Sequence, residues 1–267
     1  MEISQLSISQ IKQEINKIVI SEYPEFINRL DLDDRGGVQQ LKDSLISKYN
    51  KYTKEKQRIQ QLKSYESSLY NRGYKLVAGM DEVGRGPLAG PVVSCAIVLP
   101  ESSNILYVND SKKLSSSKRE ELYYAIKEDA LSIGIGIIEK DIIDDINIFQ
   151  GTKQSMVDAV DNLRLLPEIV LIDAMHIEAL QIPQKSILKG DEKCYSIAAA
   201  SIIAKVTRDR IMDSYHDAYP EYNFKSNKGY GTNEHIEAIK KYGICPIHRL
   251  SFLNNILGTF KEVELNL

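Results

Sequence analysis

KLVAGMDEVGRGPLAGPVVSCAIVL, residues 75–99, reads as two strands joined by a turn rich in glycine and proline. Residues 75–80 and 91–99 are short apolar runs that suit a pleated sheet, and the glycines and prolines between them break the pattern. A link this short favours antiparallel pairing, and residues 131–138 read as a third strand close enough to join it. The first strand ends on two carboxylates, Asp81 and Glu82.

Downstream the grammar alternates. Residues 115–130 and 147–163 read as helices, 168–173 and 185–189 as short strands, and 192–219 as a long helix carrying Ile197, Ile202, Ile203, Val206 and Met212. Helices between the later strands imply parallel crossovers, so the whole is a mixed α/β sheet of five strands flanked by helices, with a C-terminal helical region.

Upstream, residues 1–72 read as helical throughout. Ile8, Ile11, Ile15 and Ile18 recur at helical spacing behind a Ser7 cap, Pro24 interrupts the pattern, and a second run follows Arg35-Gly36-Gly37. Asn71-Arg72-Gly73 marks the expected boundary between this extension (1–72) and the α/β domain (73–267). Lys48, Lys51, Lys54, Lys56, Arg58 and Lys63 oppose only Glu55 in the second run, which fits either a solvated helix face or a surface that assists nucleic-acid binding.

The composition, 267 residues with 43% hydrophobic and 27% charged, is that of a globular chain with one substantial core and a small appendage. Cys95, Cys194 and Cys245 are odd in number and in no metal or disulfide spacing, so they read as buried thiols in a reducing compartment. No stretch approaches the roughly 18 apolar residues of a membrane span, and no leader pattern opens the chain. A cytoplasmic monomer is the expectation. The net charge of −3 does not exclude a local basic groove.

Four carboxylates are placed for chemistry: Asp81 and Glu82 closing the first strand, Asp173 closing the fourth, and Asp191 opening the long helix. Strand ends in α/β sheets aim side chains into one crevice, and hard cations such as magnesium take carboxylate oxygens. A pair of ions about 4 Å apart can serve both sides of a phosphodiester. Each residue alone has a plainer reading: a helix cap for Asp191, a turn for Asp173, surface charges for the pair. Adjacent strand residues also face opposite ways, so Asp81 and Glu82 share a site only with a bulge or strand end at this point, and the backbone from Glu82 to Gly86 is expected to be irregular.

Gly84, Arg85 and Gly86 depart from a dinucleotide fingerprint, since Pro87 intervenes and another strand follows; they let backbone approach a sugar-phosphate instead. Asp110-Ser111-Lys112-Lys113-Leu114-Ser115 offers phosphate ligands or a helix cap. The small residues from Ser196 to Ala204 pack a helix on a sheet, leaving Lys205 and Arg208 free to face a phosphate groove. In Lys228-Gly229-Tyr230-Gly231-Thr232 an aromatic stands between glycines, suited to stacking or to a buried turn. Nucleophile elbows, zinc helices and phosphate loops are absent, and the four histidines share no metal spacing, although His176 follows Asp173 by three residues.

Together these segments, with Ile172-Asp173 and Lys189-Gly190-Asp191, resemble bacterial ribonuclease HII over residues 74–260. The resemblance implies a ribonuclease H-like fold in which Asp81, Glu82, Asp173 and Asp191 bind two Mg2+ or Mn2+ ions. It implies RNA/DNA hybrid, or duplex DNA containing ribonucleotides, as substrate, with Gly84, Arg85 and Gly86 reading the 2′-hydroxyl and Tyr230 stacking on the neighbouring deoxyribose. Lys112 and Lys205 stand as candidate substrate contacts. A nuclease of the same fold acting on another structure, or a non-catalytic hybrid-binding protein, are the alternatives. The helical extension departs from the minimal family pattern, and the segment from Ala174 to Glu178 is bulkier than a small-residue turn.

Overall fold

The computed structural model of the chain describes residues 3–254 and 256, so residues 257–267 of the expected C-terminal helical region lie outside the described residues. Two compact units divide at 61/62. In the first, α1 (Ile8–Ile15), α2 (Tyr23–Leu30) and most of α3 (Gly36–Leu62) surround Ile11, Ile15, Phe26, Leu30, Val38 and Leu45. Ser7 and Gln10 close α1 with a reciprocal capping box, and Pro24 sits in the first turn of α2, where its missing amide costs nothing.

The second unit begins with α4 (Ser64–Tyr70), which leads into β1 (Val77–Val83) and β2 (Val92–Val98). Next come α5 (Ser116–Asp129), β3 (Ser132–Ile138), α6 (Lys140–Asp161), β4 (Ile169–Asp173) and β5 (Gln184–Ile187). The chain continues through α7 (Gly190–Lys193), α8 (Tyr195–Ala218), α9 (Phe224–Asn227) and α10 (Asn233–Tyr242). The units divide before the expected boundary at 72 because α4 is tied to α8. The buried Glu66 accepts from Ser196 N and Ser196 Oγ, both at 2.7 Å, at the amino end of α8, where a carboxylate meets exposed amides and the positive end of the helix dipole. Lys63 is likewise buried, donating to the carbonyls of Glu101 and Ser103 at 2.8 and 2.7 Å, and so leaves the basic run of α3.

The sheet order is β3-β2-β1-β4-β5, antiparallel across β1–β2 and β2–β3, parallel across β1–β4 and β4–β5. One face packs Ala78, Met80, Ala96, Val170 and Ile172 against Met156, Ala159 and Val160 of α6; the other packs Val77, Ile169 and Leu171 against Ile197 of α8. Alternate residues of each strand therefore meet different helices. Among the described residues no helix is long and apolar enough to cross a membrane.

Two sequence expectations change. The helix expected from Asn147 begins at Lys140; Asn147 (φ 67°) kinks it and caps its second half, its side chain accepting from Phe149 N and Gln150 N at 3.0 and 3.1 Å. The long helix does not begin at Asp191. Lys189 adopts φ 57°, α7 makes one turn, and the extended Cys194 separates it from α8.

Helix α6 approaches so closely that a Cβ on Gly136 would lie 1.8 Å from Ser155 O. Gly136→Ala is expected to destabilise the protein by about 3 kcal/mol, whereas Gly36→Ala, with nothing within 4 Å, should stay within about 1 kcal/mol of the parent; urea unfolding measures both.

Candidate active site

The last paired residues of β1 and β4 are Met80 and Ile172. One register step further, Asp81 and Asp173 leave neighbouring parallel strands side by side, on the face that packs on α8. Asp173 Oδ1 accepts from Gly190 N at 2.6 Å, which fastens the start of α7 to the end of β4 and brings Asp191 in from the same side. A Cβ on Gly190 would meet Ile197, so the fastening depends on a bare backbone there. Asp81 and Asp191 are both buried, and Asp191 lies within α7, after its left-handed cap Lys189 and not at the cap itself.

Glu82 is placed differently. Strand β1 pairs regularly with β2 through Val83, with Asp81 opposite Cys95 and Glu82 opposite Ser94. Ser94 Oγ lies 2.6 Å from Ser155 Oγ of α6, so Glu82 springs from the α6 face and Asp81 from the α8 face. The expected irregularity at Glu82 is thus absent and starts only at Gly84 (φ 97°). Glu82 still belongs to the neighbourhood, because pairing with β4 stopped before it: Asp173 and Lys112 both act on its charge, and Arg85 Nη1 lies 3.4 Å from Glu82 Oε1.

Burial, then Glu82 and Asp173, push the Asp81 carboxyl well above the usual carboxylate range. Burial first, with Asp110 and Asp173 behind it, raises Asp191 against the opposing pull of Lys112, whose Nζ is 3.8 Å from Asp191 Oδ2. Burial also raises Glu82, although Arg85 works against it. These are hard oxygen donors whose mutual repulsion a divalent cation would relieve, so the residues fit such an ion. Among the described residues, however, no three side chains of His, Cys, Asp or Glu stand close enough together to form a closed metal cage.

Beside the carboxylates, residues 84–91 and 228–232 lie together. Leu88 N donates to Gly229 O at 2.8 Å, and a Cβ on Gly86 would rest 3.8 Å from Tyr230 Cε1. Two fully buried arginines hold them from below. Arg249 donates to the carbonyls of Gly84 (2.7 Å), Arg85 (3.2 Å), Pro87 (3.0 Å) and Gly90 (2.8 Å). Arg208 donates to those of Pro91 (2.9 Å), Ala89 (3.1 Å) and Lys228 (2.9 Å), with its Cζ 5.9 Å from the Tyr230 ring centre. Neither has a carboxylate within 4 Å among the described residues. Burial and the Arg208 charge pull Arg249 down to about 9, still cationic at neutral pH. With the loop carbonyls turned inward, the amides of Arg85 and Gly86 meet no protein acceptor among the described residues, and the Tyr230 ring is half exposed beside them.

The other candidates scatter. Lys112 is exposed on the turn that Asp110 caps, at the mouth of the carboxylate group. Lys205 is tied to Asp209 at 2.6 Å. Arg208 is part of the loop scaffold and does not face a groove, and His176 is exposed on the turn after β4. The reading of the sequence missed Arg249, whose one signal is a charge set within an apolar run from Cys245 to Phe252. It also missed the contact of His235 with His248, which no spacing announces.

Residues 78–255 match the family model of ribonuclease HII, and residues 7–70 that of the ribonuclease HII N-terminal domain. The ribonuclease HII of Clostridioides difficile (strain 630) is 50% identical over 251 residues, 94% of this chain and 98% of that one. That of Listeria monocytogenes serotype 4b (strain F2365) is 48% identical over 260 residues, 97% of each chain. The crystal structure of the ribonuclease H2 from Pyrococcus horikoshii OT3 is similar with a TM-score of 0.59 at 28% identity, over 70% of this chain and 99% of that one.

A buried acid whose folded pKa is raised holds its proton longer folded than unfolded, so stability falls as pH climbs from the usual carboxylate range through the raised value. Without divalent metal, Asp81→Asn should therefore melt above the parent at pH 7, by ~2–4 °C for each kcal/mol of repulsion relieved, and the gap should close toward pH 4. Scanning calorimetry at the two pH values checks this; equal melting at pH 7 would show that Asp81 carries no such strain.

Proposed function

Because this chain belongs to the ribonuclease HII family, and is therefore a metal-dependent ribonuclease acting on RNA/DNA hybrids, we propose that it also incises duplex DNA 5′ of single embedded ribonucleotides, leaving 3′-hydroxyl and 5′-phosphate ends. The observation that carries this reading is the exit of Asp81 and Asp173 side by side next to an exposed turn where the amides of Arg85 and Gly86 meet no protein acceptor among the described residues. Asp81, Asp173 and Asp191 would hold the cations, and Glu82 would approach them from the rim of the sheet. Two bound Mg2+ or Mn2+ ions would supply charge stabilisation at the scissile phosphodiester and a lowered pKa for the attacking water.

The protein's own groups then select and orient. The amides of Arg85 and Gly86 donate to the 2′-hydroxyl; DNA lacks that partner and leaves them unpaired. The Tyr230 ring stacks on the next deoxyribose, and Lys112 and Arg85 neutralise phosphates on either side of the carboxylates. The protein works as a cytoplasmic monomer in DNA replication and repair.

A duplex carrying one ribonucleotide should be cut with magnesium or manganese and left intact with chelator, while the all-DNA duplex is not cut. Asp81→Asn should keep the fold and lower kcat/KM by about a thousandfold or more, the scale on which loss of electrostatic transition-state stabilisation acts. Equal cutting of both duplexes would refute the 2′-hydroxyl reading.

For the N-terminal unit we propose assistance in binding through the exposed Lys48, Lys51 and Lys54 of α3. Replacing the three by glutamine should weaken hybrid affinity and flatten its dependence on salt by up to about 0.9 in log–log slope for each phosphate no longer neutralised. An unchanged slope would refute that role.

A further inference from the structure

His235 and His248 are both buried, their Nε2 atoms 3.0 Å apart. His235 Nδ1 lies 2.9 Å from Tyr230 O, and Cys245 N donates to His248 Nδ1 at 2.9 Å. The rings pack among aromatics, His248 5.0 Å from Tyr222 and His235 5.3 Å from Phe224 between centres. The cleavage reaction itself requires neither of them.

The tautomers follow from the two ends of this hydrogen-bonded row. A carbonyl only accepts, so His235 carries its proton on Nδ1 and presents a bare Nε2. A backbone amide only donates, and the Cys245 amide at 2.9 Å is nearer His248 Nδ1 than the Cys245 thiol at 3.1 Å or the Cys245 carbonyl at 3.3 Å, which already accepts from His248 N at 3.0 Å; His248 Nδ1 is therefore bare and its proton sits on Nε2. Both ends give the same direction: Cys245 N donates to His248, His248 Nε2 donates to His235, and His235 Nδ1 donates to Tyr230 O. Both rings are neutral in this arrangement, since a second proton on His235 would set its Nε2–H against His248 Nε2–H across 3.0 Å, and one on His248 would set its Nδ1–H against the Cys245 amide across 2.9 Å. Burial lowers His235, and burial with the His235 charge takes His248 down to about 4.

We infer that His235 and His248 are positioning residues: a one-directional relay that fixes the backbone of Tyr230, and so the height of its ring above Gly86, relative to the segment that carries Arg249. The adjoining Arg249 holds the carbonyls of Gly84 and Arg85, so two consecutive residues set both substrate-facing loops from one point. This rests on the reading of Tyr230 as a stacking group.

Long-range proton–nitrogen correlation spectra of the parent protein should show His235 protonated on Nδ1 and His248 on Nε2; the opposite tautomer at either overturns the relay. His235→Phe keeps a ring against Phe224 but offers no donor, and should raise KM for a ribonucleotide-containing duplex about tenfold with kcat little changed, a fraction of what loss of base–aromatic stacking removes. His235→Gln, with a donor and an acceptor on one amide, should restore most of that loss. Adding Tyr230→Ala to His235→Phe should cost far less than Tyr230→Ala costs in the parent. Should His235→Phe not fold, His248→Phe carries the same expectation. If Tyr230→Ala raises KM and neither histidine variant does, the relay falls alone; if Tyr230→Ala leaves KM unchanged, the stacking reading has failed and the relay with it.

Discussion

The parallel register of β1 on β4 is the constraint from which the site follows. Because Met80 faces Ile172 as the last pair, the next residue of each strand is an aspartate, and both emerge on the face covered by α8. A slip of one residue would send one of them into the α6 layer among Met156 and Ala159. The register is itself held by a dry interior: Gly79 and Gly136 admit helix backbones too close for any side chain, and Val77, Ala78, Val170 and Leu171 are fully or almost fully buried. The placement of two negative charges side by side is thus stabilised by apolar packing several residues away, which is why the charges can be tolerated at all.

That same packing sorts the four carboxylates. Asp81, Asp173 and Asp191 share a face because strand parity and the Asp173–Gly190 hydrogen bond put them there. Glu82 is on the other face and reaches the group only because β4 has ended. The arrangement makes Asp81 the most strained ionisable group of the set, buried and surrounded by its own kind, and leaves Glu82 partly offset by Arg85.

Much of this was legible in the sequence. Five strands, the helices α1, α3 and α5 with most of α6 and α8, and the carboxylates at strand ends could be read from short β-branched runs, turn residues and 3.6-residue spacing, because those patterns report local geometry. The kink at Asn147 and the break at Cys194 could not be, since each is imposed by what the chain packs against. The parity objection to Glu82 was sound, and of the two remedies left open, a bulge or a strand end, the fold uses the second: pairing with β4 ends at Met80 and the irregular backbone begins at Gly84. Arg208 looked like a phosphate ligand because sequence shows charge and hides burial. Arg249, His235 and His248 escaped notice because their partners are backbone carbonyls and amides, which every sequence contains and none displays.

The inward turn of the carbonyls at 84–91 has a consequence for recognition as an entropic matter. A glycine-rich loop in water samples many conformations, and freezing it against a ligand would cost about 1–2 kcal/mol for each residue ordered. Seven hydrogen bonds from two buried guanidiniums hold these loops in one conformation in the folded protein. The entropy is given up at folding, before any substrate arrives, and discrimination between a sugar that bears a hydroxyl and one that does not can then act on rigid backbone, where a single missing partner is felt in full.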